Sequence, residues 1–179
     1  TNTSSELSTW SNTTIGFDMS LVSAILDDNG KAHLSYYDSL NEDLMYATNK
    51  EGTWQNYTID SSGDVGRFPS IAIDSNGTVH FSYLTSSAGL KYANFDNFGT
   101  AAIYEIDFGT TPTMTFSKIH VDSRNMPHIV YYDSANGELR HVTRPNFGTS
   151  WNDSLVYSLQ NVSNLEVELD SMNDIHVIF

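Results

Sequence analysis

Four aspartates and four histidines recur together in this chain, in "DDNGKAHLSYYD" (27–38), "DSNGTVHFSY" (74–83), "DSRNMPHIVYYD" (122–133) and "DSMNDIHVIF" (170–179). Asp27, Asp74, Asp122 and Asp170 stand 47, 48 and 48 residues apart, and His33, His80, His128 and His176 follow them across a turn. An imidazole so placed can be a catalytic base, a metal ligand or a packed polar group. A base is needed once in an enzyme, whereas packing is needed in every copy of a repeat. The recurrence therefore predicts a structural role for all eight residues. Each Asp accepts hydrogen bonds from backbone N–H groups of its own turn, and each His is buried and bonded to a neighbouring strand or turn. The sharper alternatives are a ring of four histidines around a metal and calcium held by the Asp turns. A calcium loop needs five or more converging oxygens, and each turn offers two or three. Strand positions off the central axis also hold opposed imidazoles too far apart for one metal. The expectation is no metal and no cofactor, with calcium as the residual alternative.

The elements that must hold these residues repeat with them. "LMYATN" (44–49), "LKYANF" (90–95) and "LRHVTR" (139–144) are one recurrent strand, and Trp10, Trp54 and Trp151 mark a later one. In the second copy the runs are "SIAID" (70–74), "TVHFSYL" (78–84), "LKYANF" (90–95) and "AAIYEID" (101–107). Val, Ile, Tyr and Phe fill the runs, and Gly, Asn, Asp and Ser fill the gaps. No stretch carries a capped 3.6-residue apolar period. Four short antiparallel strands per period of about 47 residues is the layout of a β-propeller blade. The whole chain, 1–179, reads as one all-β propeller domain with three complete blades at about 21–60, 70–107 and 114–160. A fourth is split between the termini, 165–179 supplying its first two strands and 1–17 its last. The would-be third strand, "TNTSS", is polar and weak, so this blade closes either on itself or with another copy of the chain.

The repeat resembles the β-propeller repeats of secreted bacterial and archaeal surface proteins, loosely akin to sialidase-like and Asp-box propellers. The resemblance rests on the Asp-X-X-Gly turn, the His-apolar-X-Tyr that follows it, the Leu-X-Tyr-Ala strand and the Gly-X-Trp turn. The Asp-box itself, Ser-X-Asp-X-Gly-X-X-Trp, is not matched. It implies a propeller fold and a secreted setting and transfers no active site. "GRFPS" (66–70) is similar to the Arg-Ile-Pro element of sialidases, but those enzymes set three arginines on one carboxylate. This chain has four, Arg67, Arg124, Arg140 and Arg144, with Arg67 expected in a loop. Glu105/Asp107 and Glu166/Glu168 pair at i, i+2 along strands, the spacing of one solvated face. No Gly-X-Ser-X-Gly elbow and no His-Glu-X-X-His occurs.

The net charge is −14, eight Lys plus Arg against 22 Asp plus Glu. That charge repels phosphate backbones, so no nucleic-acid partner is expected. No run of eighteen apolar residues occurs, so no membrane insertion is expected. No signal peptide is visible, which reads as a mature chain or a fragment. Cysteine is absent, which rules out disulfides and thiolate sites without fixing a compartment. Six Asn-X-Ser/Thr sequons, Asn2, Asn12, Asn56, Asn76, Asn152 and Asn161, favour an extracellular glycoprotein. The tryptophans Trp10, Trp54 and Trp151, with Tyr37 and Tyr132, either anchor an outer strand on the next blade or stack on sugar rings. The reading reached from the residues is a non-enzymatic, secreted, structural or adhesive surface unit that self-assembles through its split blade, as a filament or a closed oligomer. The alternative is a carbohydrate-binding propeller, and the remoter one a sialidase-like hydrolase.

Overall fold

A computed structural model describes residues 13–15, 18–87, 89–106, 114–144, 150–158, 162 and 165–178. Among them there is no helix, and so none that could cross a membrane. Three four-stranded antiparallel sheets follow one another along the chain. The first holds β1 (Met19–Leu26), β2 (Ala32–Asp38), β3 (Asp43–Thr48) and β4 (Gln55–Asp60). The second holds β5 (Val65–Ile73), β6 (Val79–Thr85), β7 (Leu90–Phe95) and β8 (Ala101–Glu105). The third holds β9 (Met114–Val121), β10 (Pro127–Asp133), β11 (Glu138–Thr143) and β12 (Asn152–Ser158). A fourth sheet has two strands, β13 (Glu166–Leu169) and β14 (Ile175–Ile178). Each is a meander, with the strands paired in chain order. The first strands lie side by side, β1 against β5, β5 against β9 and β9 against β13.

Turn chemistry produces the meander. In the first blade Asp27 Oδ1 accepts the N–H groups of Asn29 at 2.9 Å and Lys31 at 2.8 Å. Asp74, Asp122 and Asp170 do the same in their own turns. The fourth turn residue must adopt positive φ, and it is Gly30 (72°), Gly77 (80°), Asn125 (65°) and Asn173 (66°). Glycine and asparagine are the residues that tolerate this region.

Alternation then sets the packing. Along β6 every residue from Val79 to Leu84 is buried, because sheets cover both of its faces. One core lies between the first and second sheets, around Leu44, Tyr46, Phe81 and Tyr83. A second joins the second and third around Leu84, Tyr92, Ile129 and Tyr131, and a third joins the third and fourth around Val130, Leu139, Leu165 and Val167. Burial of one such ring or branched side chain contributes about 1.5–3 kcal/mol.

The second blade starts earlier than the sequence suggests, at Val65 rather than Ser70, and Arg67 is therefore in a strand and not a loop. The reason is a double register shift opposite Thr85, Leu84 and Ser82. Gly66 sits there at φ 88°, where a Cβ would come 2.6 Å from Leu44 Cα, so the strand crosses β3 with no room for a side chain. Among the described residues there are four sheets, the last of two strands. Residues 1–12 and Phe179, on which the split-blade reading rests, lie outside the described residues.

Candidate functional site

The recurrent histidines sit in short polar chains. In the first blade Asp27 Oδ2 lies 3.6 Å from His33 Nε2, and His33 Nδ1 lies 2.5 Å from the Tyr46 hydroxyl. In the second blade the distances are 3.4 Å for Asp74 to His80 and 2.7 Å for His80 to Tyr92. In the third, Asp122 is 3.6 Å from His128, but His141 stands where the tyrosines were, with its Nε2 3.0 Å from His128 Nδ1. The two imidazoles stack at 5.1 Å, 4° from parallel. His33 and His80 are buried, while His176, 3.1 Å from Asp170, is exposed. Burial holds the His33 and His128 imidazoles below the usual histidine range, against the pull of the neighbouring aspartates. Burial and the adjacent His128 push His141 down to about 4. Burial raises the Tyr46 hydroxyl to about 12. The His33, His80 and His128 imidazoles are each bonded through Nδ1 to the neighbouring strand, while Nε2 lies beside the turn aspartate without a hydrogen bond. No group of three or more His, Asp or Glu arranged for a metal occurs among the described residues.

A polar cluster not anticipated from sequence lies between the first and second blades. Asp60, at the end of β4, accepts hydrogen bonds from the Tyr83 hydroxyl at 2.7 Å and from Lys91 Nζ at 3.1 Å. Ser62 donates to the same carboxylate from its hydroxyl at 2.5 Å and its N–H at 3.0 Å. Burial alone would raise the Asp60 carboxyl, but these donors outweigh it and hold it below the usual carboxylate range. The one available signal was Lys91 itself, the only charged residue of "LKYANF".

The four arginines are engaged separately. Arg67 forks onto Asp64, 2.9 and 2.6 Å, and lies over Tyr37. Arg124 pairs with Asp122, Arg140 with Asp153 and Glu138, and Arg144 lies 4.1 Å over Tyr104. Among the tryptophans, Trp151 packs edge-on to Tyr92 at 5.1 Å. It thus leans on the preceding blade, not the next, because the face carrying Tyr131 and Val142 turns towards the second sheet. Trp54 is half-buried, Tyr37 and Tyr132 are buried, and Trp10 lies outside the described residues. Of the sequons, Asn76 and Asn152 are exposed in turn and edge positions. Asn56 is exposed too, but its amide nitrogen donates to the Ile15 carbonyl at 2.9 Å. Asn2, Asn12 and Asn161 lie outside the described residues.

A solvent-open cleft of about 580 Å3 separates the Asp turns of the first two blades. Asp28, Asn29 and Leu26 form one side, and Ser75, Asn76 and Ile73 the other. Lys50 Nζ donates to Asn97 Oδ1 at 2.7 Å, and Asn97 Nδ2 to the Asn76 carbonyl at 2.7 Å, bridging its outer end. A second cleft, about 500 Å3, lies on the first sheet beside Tyr36, Met45 and Asn56.

This architecture, successive four-stranded meanders packed face to face with their first strands adjacent, is that of a β-propeller, and solved propellers match it. The SapL1 lectin, solved with alpha methyl fucoside, shares 14% identity at a TM-score of 0.64, over 91% of this chain and 55% of that one. A fucose lectin from Kordia zhangzhouensis, solved with methyl-fucoside, shares 16% identity at a TM-score of 0.50, over 76% of this chain and 99% of that one. The Hadza microbial sialidase Hz136 shares 14% identity at 0.58, over 86% and 40%. This chain thus spans about half the length of the SapL1 lectin and less of the sialidase. No protein-family model matches the sequence, and no curated protein resembles it. The expected likeness to sialidase-type propellers is therefore structural, and the expected kinship with secreted surface repeats has no family behind it.

Proposed function

We propose that the chain is a carbohydrate-binding β-propeller module. The observation that carries this reading is the open, polar cleft between the first two blades, in a fold shared with fucose lectins. Sugar sites combine hydrogen-bonding side chains that match ring hydroxyls with an apolar surface for the C–H face. Here Asp28, Asn29, Ser75 and Lys50 supply the first, and Leu26 and Ile73 the second. Binding is favoured over hydrolysis within the cleft. Glycoside cleavage ordinarily takes two free carboxylates, whereas Asp27 and Asp74 each accept two backbone N–H groups of their own turns, leaving Asp28. An extracellular setting is part of the proposal, supported by the exposed sequon at Asn152, away from the cleft. The self-assembling surface unit has no comparable support, since the residues behind it lie outside those described. The full chain is expected to bind a limited set of neutral glycans on a glycan array. A blank array under calcium-containing and calcium-free conditions refutes the reading.

A further inference from the structure

We infer that the rim between the first two blades is a binding site for a neutral saccharide, opened by the loss of a latch that seals the other described junctions. The inference rests on the carbohydrate-binding reading above. At each junction the second residue of one Asp turn faces the fourth residue of the next. Between the second and third blades, Ser75 donates its N–H at 3.1 Å and its hydroxyl at 2.8 Å to Asn125 Oδ1. Between the third and fourth, the Ser123 N–H donates to Asn173 Oδ1 at 3.0 Å, and Asn173 Nδ2 donates to Ser123 Oγ at 3.0 Å. Between the first and second, the two positions hold Asp28 and Gly77. Gly77 offers no side chain, Asp28 is exposed with no hydrogen-bond partner among the described residues, and the rim opens into the cleft.

Backbone geometry does not require glycine at this place. Asn125 and Asn173 adopt φ of 65° and 66° in the same turn position, close to the 80° of Gly77. What glycine provides is room for the Asn97 amide, since a Cβ there would press on its Oδ1 at 3.3 Å and its Nδ2 at 3.4 Å, the atoms that bridge Lys50 and the Asn76 carbonyl. The opened rim brings together the free Asp28 carboxylate, which accepts hydrogen bonds from paired hydroxyls, and Leu26, 66% exposed beside it. Charge selects among sugars. Asp27, Asp28 and Asp74 outweigh Lys50 along the lining, in a chain of net charge −14, so an anionic sugar is repelled.

The test uses the full chain made without N-glycan, because Asn76 stands on the rim and its glycan would compete. Methyl α-fucoside, methyl α-mannoside and N-acetylneuraminic acid are titrated against the wild type, Asp28→Ser/Gly77→Asn and Asp28→Ala. The double substitution rebuilds the Ser–Asn latch of the other junctions. A neutral glycoside should bind the wild type and bind both variants at least about tenfold more weakly, the effect of one charge-assisted hydrogen bond. The double variant gains the latch but crowds Asn97, so Asp28→Ala, which leaves Asn97 untouched, must show the same loss of binding. If it does not fold, Asp28→Ala at an exposed turn residue decides the question. Undiminished binding to the variants overturns the site and leaves the lectin reading standing. Preference for N-acetylneuraminic acid overturns the ligand class. A wild type that binds none of the three overturns the inference, and a blank glycan array then separately removes the lectin reading.

Discussion

Replacing Asp60 by alanine is expected to cost about 3–5 kcal/mol, the cost of breaking a buried ion pair from one side. The Asp60 side chain is 1% exposed and collects Tyr83, Lys91 and both donors of Ser62. Without it the Lys91 ammonium, 10% exposed, keeps one Ser62 hydroxyl at 3.1 Å and an exposed Glu105 at 3.9 Å. The Tyr83 hydroxyl loses its partner inside the core between the first two blades. The alternative outcome, a cost below about 1 kcal/mol, is what a solvent-screened surface pair gives. Urea denaturation distinguishes the two. Asp60→Asn, which keeps the shape and loses the charge, should fall between. Lys91→Met places at this position the residue that the first blade carries as Met45, and should cost less than Asp60→Ala because Asp60 retains Tyr83 and Ser62.

Acid should loosen the third blade before the others. His141, at about 4 in the folded chain, lies well below the ordinary 6.5 of an unfolded histidine. The unfolded chain then binds the proton more readily. The contribution is fully present above about pH 6.5, declines as the pH falls towards 4, and is absent below that. At about 1.4 kcal/mol per unit the drop is on the order of 3 kcal/mol, and partial solvent access of His141 brings it to roughly 2. His128, also lowered by burial, adds in the same direction. His141→Tyr installs the residue of the first two blades, whose hydroxyls sit 2.5 and 2.7 Å from their histidines. Unfolding free energies at pH 7 and pH 4.5 should converge by about 1–2 kcal/mol in the variant. Parallel pH curves for the two proteins would show that the pair is not responsible.

The repeat was legible because each strand is written several times. The Asp turns, the all-β class and the four-stranded sheets follow from alternation and turn residues, and both are local. The interactions between blades were harder to see. Ser75 and Asn125, or Lys50 and Asn97, meet across 50 and 47 residues, one whole period. Stacking the copies reveals such pairs only after it is known that equivalent turns touch. In that alignment Gly30 and Gly77 stand against Asn125 and Asn173, and Lys91 stands against Met45 and Arg140. The early start of β5 was hidden because "VGRFP" has a glycine and a proline, both read as loop residues. Its pairing depends on the contact between Gly66 and Leu44, which belongs to another blade.

Chemical-shift mapping of the isotopically labelled, unglycosylated chain with a neutral glycoside tests the central claim most directly. Saturable shifts at the amides of Asp28, Asn29, Ser75, Gly77 and Asn97, with the third and fourth blades silent, are the predicted result. Saturable shifts centred elsewhere would move the site to another surface. A spectrum unchanged by every glycoside that the array nominates would contradict the account.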